Sequence, residues 1–363
     1  MGKCGIVSYG VKVPIRRMKI EQVIDVWKNN DINILKKILN VDERAVLNSD
    51  EDVITLGLES AIKCIENSVI KNNDLEAIYL GTSTNPDLSR ASAATILEMI
   101  GNNHYAMCSD IQFSGKSGTS ALQIGYGLAK SGLANNIMVI GSDTVNRHIP
   151  PGDQREPYAG AGAASLLIGR ENVIAEIEGI ASYTSDFPDD IRPEDERYIR
   201  SGMPLNRDKL SYGLIKHSVK AANKLFELEH TTVNDYKYGV FQQINGASAY
   251  AVGTALGFEK DQITPSIFAN KIGDTGAASP LIGLAKILDV AEPNDKILVV
   301  GYGGGAGADA ISLKVTDYIK EFQKNTMPVE YEVNKDNIYV DYASAVKYEY
   351  KYIRPEVSFN TYL

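Results

Sequence analysis

Residues 109–120 read SDIQFSGKSGTS, the order of a strand, a tight turn and a helix that begins near Thr119. A turn of this kind is a natural seat for a nucleophile. The helix N-terminus lowers the pKa of a thiol placed there, and its backbone N–H groups bind the oxyanion of an acyl transfer. The apex residue, however, is Gly115, which carries nothing that can react. Ser114 and Ser117 flank it as candidate substitutes. A serine needs a general base, and nothing in the sequence pairs His104, His148, His217 or His230 with either of them. Serines at a helix start serve more often as caps. Cys4, Cys64 and Cys108 lack metal-ligand spacing and read as buried structural thiols of a reduced, cytoplasmic protein.

Two glycine-rich stretches fail their tests as phosphate loops. SGKSGT (114–119) contains GKS, but a phosphate loop needs glycine where Asp110 stands. GYGGGAGADA (301–310) misses the GxGxxG spacing and runs into another strand, ISLKV, instead of a helix.

The elements that must position the turn are written twice. LEAIYLGTST (75–84) is followed about 40 residues later by the helical GTSALQIGYGLAKSG (118–132), then by the strand IMVIGSD (137–143). YKYGVFQQING (236–246) is followed at similar spacing by SPLIGLAKILDVA (279–291) and ILVVGYG (297–303). Helical segments, SAIKCIENSVIKNN (60–73) and KHSVKAANKLFEL (216–228), precede both first strands. The two copies lie about 160 residues apart. Continuous apolar strands of this kind belong to a buried, largely parallel sheet, so the pattern predicts a duplicated layered α/β unit.

Composition narrows the function classes. A formal charge of −9 with no basic stripe argues against nucleic acid as a partner. The apolar runs are strand-length and too short to span a membrane. MGKCGIVSYG has the form neither of a secretory leader nor, with Ile6 at the required Ser/Thr position, of a myristoylation signal.

Several segments resemble hydroxymethylglutaryl-CoA synthases of the archaeal type, within the thiolase superfamily. They are GIVSYGVKVP (5–14), FSGKSGTSAL (113–122), SDTVNR (142–147), YAGAGAASLLIG (158–169), IGDTGAASPLIGLAKILDVA (272–291) and GYGGGAGADA. A second group, VWKNND, ERAVLNSDEDVITLG, YLGTSTNP, SRASAATILEMIG, RYIRSGM and FQQ, is similar to the synthase-like components of bacterial three-component acyltransferases. Those complexes act on phloroglucinol-type phenols.

The resemblance implies a five-layered α/β/α/β/α fold, with halves 1–170 and 171–327 and an appended tail, 328–363. It also implies a homodimer formed through the first half's sheet. The synthases' glutamate, cysteine and histidine fall on Ser83, Gly115 and Gln242, and a further asparagine falls on Asp274. The whole reactive set is thus replaced, which implies a catalytically silent subunit. Its partners would be a thiolase-like chain with the working cysteine and a small zinc-ribbon/OB-fold chain. Zinc is expected only in that partner, and a CoA thioester in the complex. The alternatives are an active acyl-CoA condensing enzyme using Ser114 or Ser117, or a module that holds CoA without turnover.

Two further segments carry expectations. In the polar stretch 185–214, Arg192, Arg197, Arg200 and Arg207 could meet CoA phosphates, and the resemblance adds Lys216. The interleaved acids favour internal ion pairs instead. The tail carries seven tyrosines, at 331, 339, 342, 348, 350, 352 and 362, and suits either partner docking or a pair of edge strands on the chain's own core.

Overall fold

The computed structural model describes residues 3–101, 103–187, 189–201 and 213–352. Arg207 and Tyr362 lie outside the described residues. The first half runs β1 (Gly5–Lys12), β2 (Arg16–Lys19), α1 (Ile20–Trp27), β3 (Glu43–Val46), α2 (Val53–Glu66) and β4 (Ala77–Thr82). It continues with α3 (Ser92–Ile100), β5 (Met107–Gln112), α4 (Ser117–Ser131), β6 (Ile137–Asp143) and β7 (Gly162–Gly169). The second half runs β8 (Ala175–Tyr183), β9 (Asp190–Ile191), β10 (Arg200–Ser201), α5 (Leu214–Glu229), β11 (Tyr238–Phe241) and α6 (Ser248–Leu256). Then come α7 (Lys260–Ile263), α8 (Ala269–Ile272), α9 (Ser279–Leu288), β12 (Lys296–Gly303) and β13 (Gly307–Val315).

The strand order is β5-β4-β6-β7-β1 in the first half and β11-β12-β13-β8 in the second. Within each, one group of strands is parallel (β4 with β5 and β6, β11 with β12), while β7 and β13 run antiparallel to their neighbours. The order repeats, except that no described strand of the second half corresponds to β5. A short pairing, Gly5 with Glu176 and Ile6 with Ala175, joins the two half-sheets through β1 and β8.

Helices α4 and α9 lie between the half-sheets, α2 and α3 cover one outer face, and α5 and α6 the other. This is the five-layered thiolase-type arrangement. Nine of the ten residues of α9 are buried, as a helix apolar on every side requires. Helix α4 starts at Ser117, two residues before the expected position. Gly118 lets it approach its counterpart, since a Cβ there would lie 2.2 Å from the Ala277 carbonyl oxygen. Cys4 and Cys64 are buried, but Cys108 is only half-buried. It lies on β5, an edge strand with one neighbour, so one side is left uncovered.

After α10 (Ile319–Asn325), which closes the second half, the tail forms α11 (Val329–Asn334), β14 (Ile338–Tyr339) and α12 (Tyr342–Tyr348). The alternating pattern after Tyr339 therefore becomes a helix. Asp341 caps it, its side chain accepting from the Ser344 N–H. Strand β14 pairs with β2, which pairs with β3, so the tail lies against the first half. A buried charge cluster anchors it. Arg44 Nη1 lies 2.5 Å from Glu349 Oε1, and Lys351 Nζ lies 3.0 Å from Glu349 and 3.3 Å from Glu156. Tyr331, Tyr339, Tyr350 and Tyr352 remain about half exposed.

Candidate active site

Parallel strands leave a crevice beyond their carboxyl ends, and loops from both halves converge there. Ser83 follows β4, Gly115 follows β5, Gln242 follows β11 and Asp274 follows α8. All four, with Ser114, border one cavity of about 390 Å³. The positions singled out from the sequence, scattered over some two hundred residues, are therefore neighbours in space. Ser117, Arg200, Lys216 and the four histidines are not on its wall.

These positions lack the arrangement that acyl chemistry needs. A Cβ built on Gly115 would lie 2.5 Å from the Tyr302 carbonyl oxygen and 2.8 Å from Gln242 Nε2. The space of a side chain at the apex is thus taken by the opposite half. Ser114 Oγ donates to the Gly304 carbonyl at 2.6 Å, a group that cannot accept a proton in full. Ser117 Oγ is fully buried and has no hydrogen-bonding partner among the described residues. Ser83 gives its hydroxyl and its N–H to Asp143, at 3.0 and 2.8 Å. Gln242 Nε2 donates to the Gly276 carbonyl at 2.8 Å. An amide cannot take up a proton at this position as an imidazole can.

Sequence reasoning missed the groups that hold this arrangement. Asp143, at the end of β6, is fully buried and accepts from Thr82, Ser83, Thr84 and the Ala277 N–H. Burial holds its carboxyl above the usual range in spite of those donors. Lys116, beside the apex, reaches across to Asp309 of β13 at 2.9 Å, and Thr119, Ser120 and Ser182 donate to the same carboxylate. Tyr302 donates to Asp189, and Arg155 pairs with Asp153 and Asp190. The buried end of an apolar strand is the only cue that singled out Asp143 or Asp309, and it does not distinguish a hub from a cap.

Three described arginines of the polar stretch, Arg192, Arg197 and Arg200, make contacts within the chain. Arg200 pairs with Glu196, Arg197 donates to the Glu349 and Tyr350 carbonyls, and Arg192 donates to the Ser83 carbonyl at 3.4 Å. His104 and His230 are exposed, whereas His148 and His217 are packed within the chain. Burial pulls His148 down to about 4, and its Nδ1 meets the Arg197 carbonyl at 2.7 Å. His217 is buried among Tyr183, Phe187 and Tyr302, away from the cavity wall.

Asp274 stands out electrostatically. Burial against the cavity wall pushes it up to about 8; the Gly276 N–H opposes this, and Asp190 and Asp143 add to it. Its folded-state pKa is therefore above its unfolded value near 3.8. Folding disfavours the charged form, and this penalty grows as pH rises from about 4 towards 8. Asp274→Asn keeps the acceptor for Gly276 and should stabilise the protein by about 1–3 kcal/mol at pH 8. Urea denaturation of both forms checks this, and the difference should vanish below about pH 4.

Two half-sheets around buried helices, with a strand–turn–helix at one cavity, define a thiolase-type condensing-enzyme architecture. Residues 226–315 match the model of the 3-oxoacyl-[acyl-carrier-protein] synthase III C-terminal family. Over 347 residues the chain is 38% identical to hydroxymethylglutaryl-CoA synthase of Methanosphaera stadtmanae, covering 96% of this chain and 98% of that one. The corresponding enzyme of Methanopyrus kandleri is 37% identical over 349 residues, 96% of this chain and 98% of that one. Among solved structures, an HMG-CoA synthase complexed with CoA superposes with a TM-score of 0.84 at 18% identity, covering 99% of this chain and 95% of the other. The chain belongs to the hydroxymethylglutaryl-CoA synthase family of the thiolase superfamily.

Proposed function

We propose that this chain is a catalytically silent, synthase-like subunit of a multicomponent acyltransferase. Segments such as ERAVLNSDEDVITLG and YLGTSTNP resemble the A component of the bacterial 2,4-diacetylphloroglucinol acyltransferase, a resemblance that implies C-acylation of phloroglucinol-type phenols by the complex. One observation carries the reading: the Gly115 apex has no nucleophile, and Tyr302 and Gln242 occupy the space of one. The working cysteine then belongs to a thiolase-like partner, and a small zinc-ribbon/OB-fold chain completes the assembly. The exposed edge of β5 supports a homodimer through the first half's sheet. The half-exposed tyrosines of the tail offer a surface for the small subunit. Any CoA thioester serves the complex rather than this chain's chemistry.

A second reading is an active condensing enzyme using Ser114 or Ser117. The name borne by the relatives, at 37–38% identity, favours it. The geometry of the two serines opposes it. The test is acyl trapping: the chain is incubated with acetyl-CoA, alone and assembled, and its intact mass is read after acid quench. The expected result is no acetyl adduct on this chain, with Ser114→Ala and Ser117→Ala leaving the complex within a few-fold of its starting rate. An adduct abolished by Ser114→Ala, or a loss above about 100-fold with the complex intact, overturns the silent reading. Calorimetry with CoA on the isolated chain separates out the third possibility, a CoA-holding module.

A further inference from the structure

Two arginines stand on the cavity wall, Arg155 and Arg192. Arg155 is engaged within the chain by Asp153, Asp190 and the Ile199 carbonyl. Arg192 is not balanced in this way. No carboxylate among the described residues lies at salt-bridge distance from it, and its one hydrogen bond is long, 3.4 Å from Nη2 to the Ser83 carbonyl. Its Nε is buried without a partner among the described residues. Nη1 also lacks a described partner but is not buried, so it is the open end of the guanidinium. A guanidinium in this state has shed water along one edge without gaining an acceptor there. The group whose two oxygens match its fork of donors is a carboxylate.

The surroundings say what body such an anion would carry. Arg192 follows β9 directly and shares the wall with Val145, Ile149 and Ile199, which pack together. It lies close enough to His148, the neighbour of Ile149, that its charge adds to burial in holding that imidazole neutral. The carboxyl groups of the wall do not oppose an anion at neutral pH. Asp190 is paired with Arg155, burial pushes Asp274 up to about 8 and so keeps it protonated, and Glu194 is exposed. The volume of about 390 Å³ falls in the range of small-molecule sites.

We propose that this cavity binds a small aliphatic carboxylic acid, its carboxylate end-on to the Nη atoms of Arg192 and its chain against Val145, Ile149 and Ile199. The inference rests on the silent reading of the site, under which nothing on the wall activates the acid and it stays unconverted. Arg192 adjoins Ile191 of β9, so an acid held there also pins the β9–β10 hairpin over the cavity. The acid is thus an effector of this chain and not its substrate.

The experiment is isothermal calorimetry of the full chain at neutral pH with hexanoate, against hexanamide as a neutral molecule of the same shape. Hexanoate should bind at least about tenfold more tightly, as one charge-assisted pair predicts. Arg192→Met should remove that difference. Ile149→Ala should weaken both ligands, and it serves as the second variant if Arg192→Met does not fold. Equal binding of the two ligands, no binding of either, an undiminished preference in Arg192→Met, or two unchanged affinities in Ile149→Ala overturns the proposal. CoA is titrated against bound hexanoate as a source of phosphate. Displacement that depends on Arg192 gives the guanidinium to a phosphate and overturns the carboxylate assignment, whereas retention of hexanoate supports it. The acetyl-trapping measurement is read separately. An adduct there defeats the silent reading whatever the acids do, whereas no adduct together with no hexanoate binding defeats this inference alone.

Discussion

Replacing Glu349 by alanine should destabilise the protein by about 3–5 kcal/mol, because it strands a buried cation. Arg44 is fully buried, and Glu349 supplies both carboxylate oxygens to its guanidinium, at 2.5 and 3.2 Å. Lys351, also buried, would keep only Glu156. Burial alone raises the Glu349 pKa, but Arg44 and Lys351 outweigh it and hold the carboxyl below its ordinary 4.5. A depressed acid contributes stability above its unfolded pKa and loses it as pH falls through the folded value. Tail docking should therefore be complete at neutral pH and weaken on acidification below about pH 4.5. Urea denaturation gives the energy, and limited proteolysis of the tail over a pH series gives the locus. An Arg44→Met/Glu349→Leu pair should recover much of the loss, since matched apolar groups replace a buried ion pair at little net cost. A single variant that leaves both the denaturation midpoint and tail protection unchanged refutes the anchoring role.

Lys116→Met should cost a comparable amount, about 3–5 kcal/mol, at the other buried pair. Asp309 has no exposed surface and would keep only the neutral donors Thr119, Ser120 and Ser182. The pair bridges the N-terminus of α4 in the first half to β13 in the second, directly beside Gly115. Its loss should therefore loosen the closure of the cavity as well as lower global stability. Hydrogen exchange at residues 114–119, alongside denaturation, separates the two effects. The double variant Lys116→Met/Asp309→Leu should be more stable than Lys116→Met alone, and failure of that ordering refutes a charge-pairing origin.

Much of the architecture was legible in the chain because its strands are buried on both faces. IMVIGSD and ILVVGYG are continuous apolar runs, and a run of that kind needs layers on either side. Their repetition at constant spacing identified the duplication, and the glycine apex at residue 115 was visible from the turn alone. The tail was not legible. Its alternation of tyrosine and polar residues reads as strand, yet the Asp341 cap starts a helix, and Arg44, some three hundred residues upstream, fixes the following turn. Local pattern carries no information about so distant a partner. Nor does it show that Ser83 is bound to Asp143, or that Ser114 is bound to Gly304.

The sequence by itself determined the layered, duplicated fold and the absence of a thiol at the helix start, since periodicity and residue type are local properties. Only the tertiary structure decided what stands in the thiol's place. The Tyr302 carbonyl and Gln242 come from the second half, and they meet Gly115 because the two half-sheets close over α4 and α9. Whether a position is open, filled or short of a hydrogen-bond partner depends on atoms brought from far along the chain. That closure turns three scattered substitutions into one pocket.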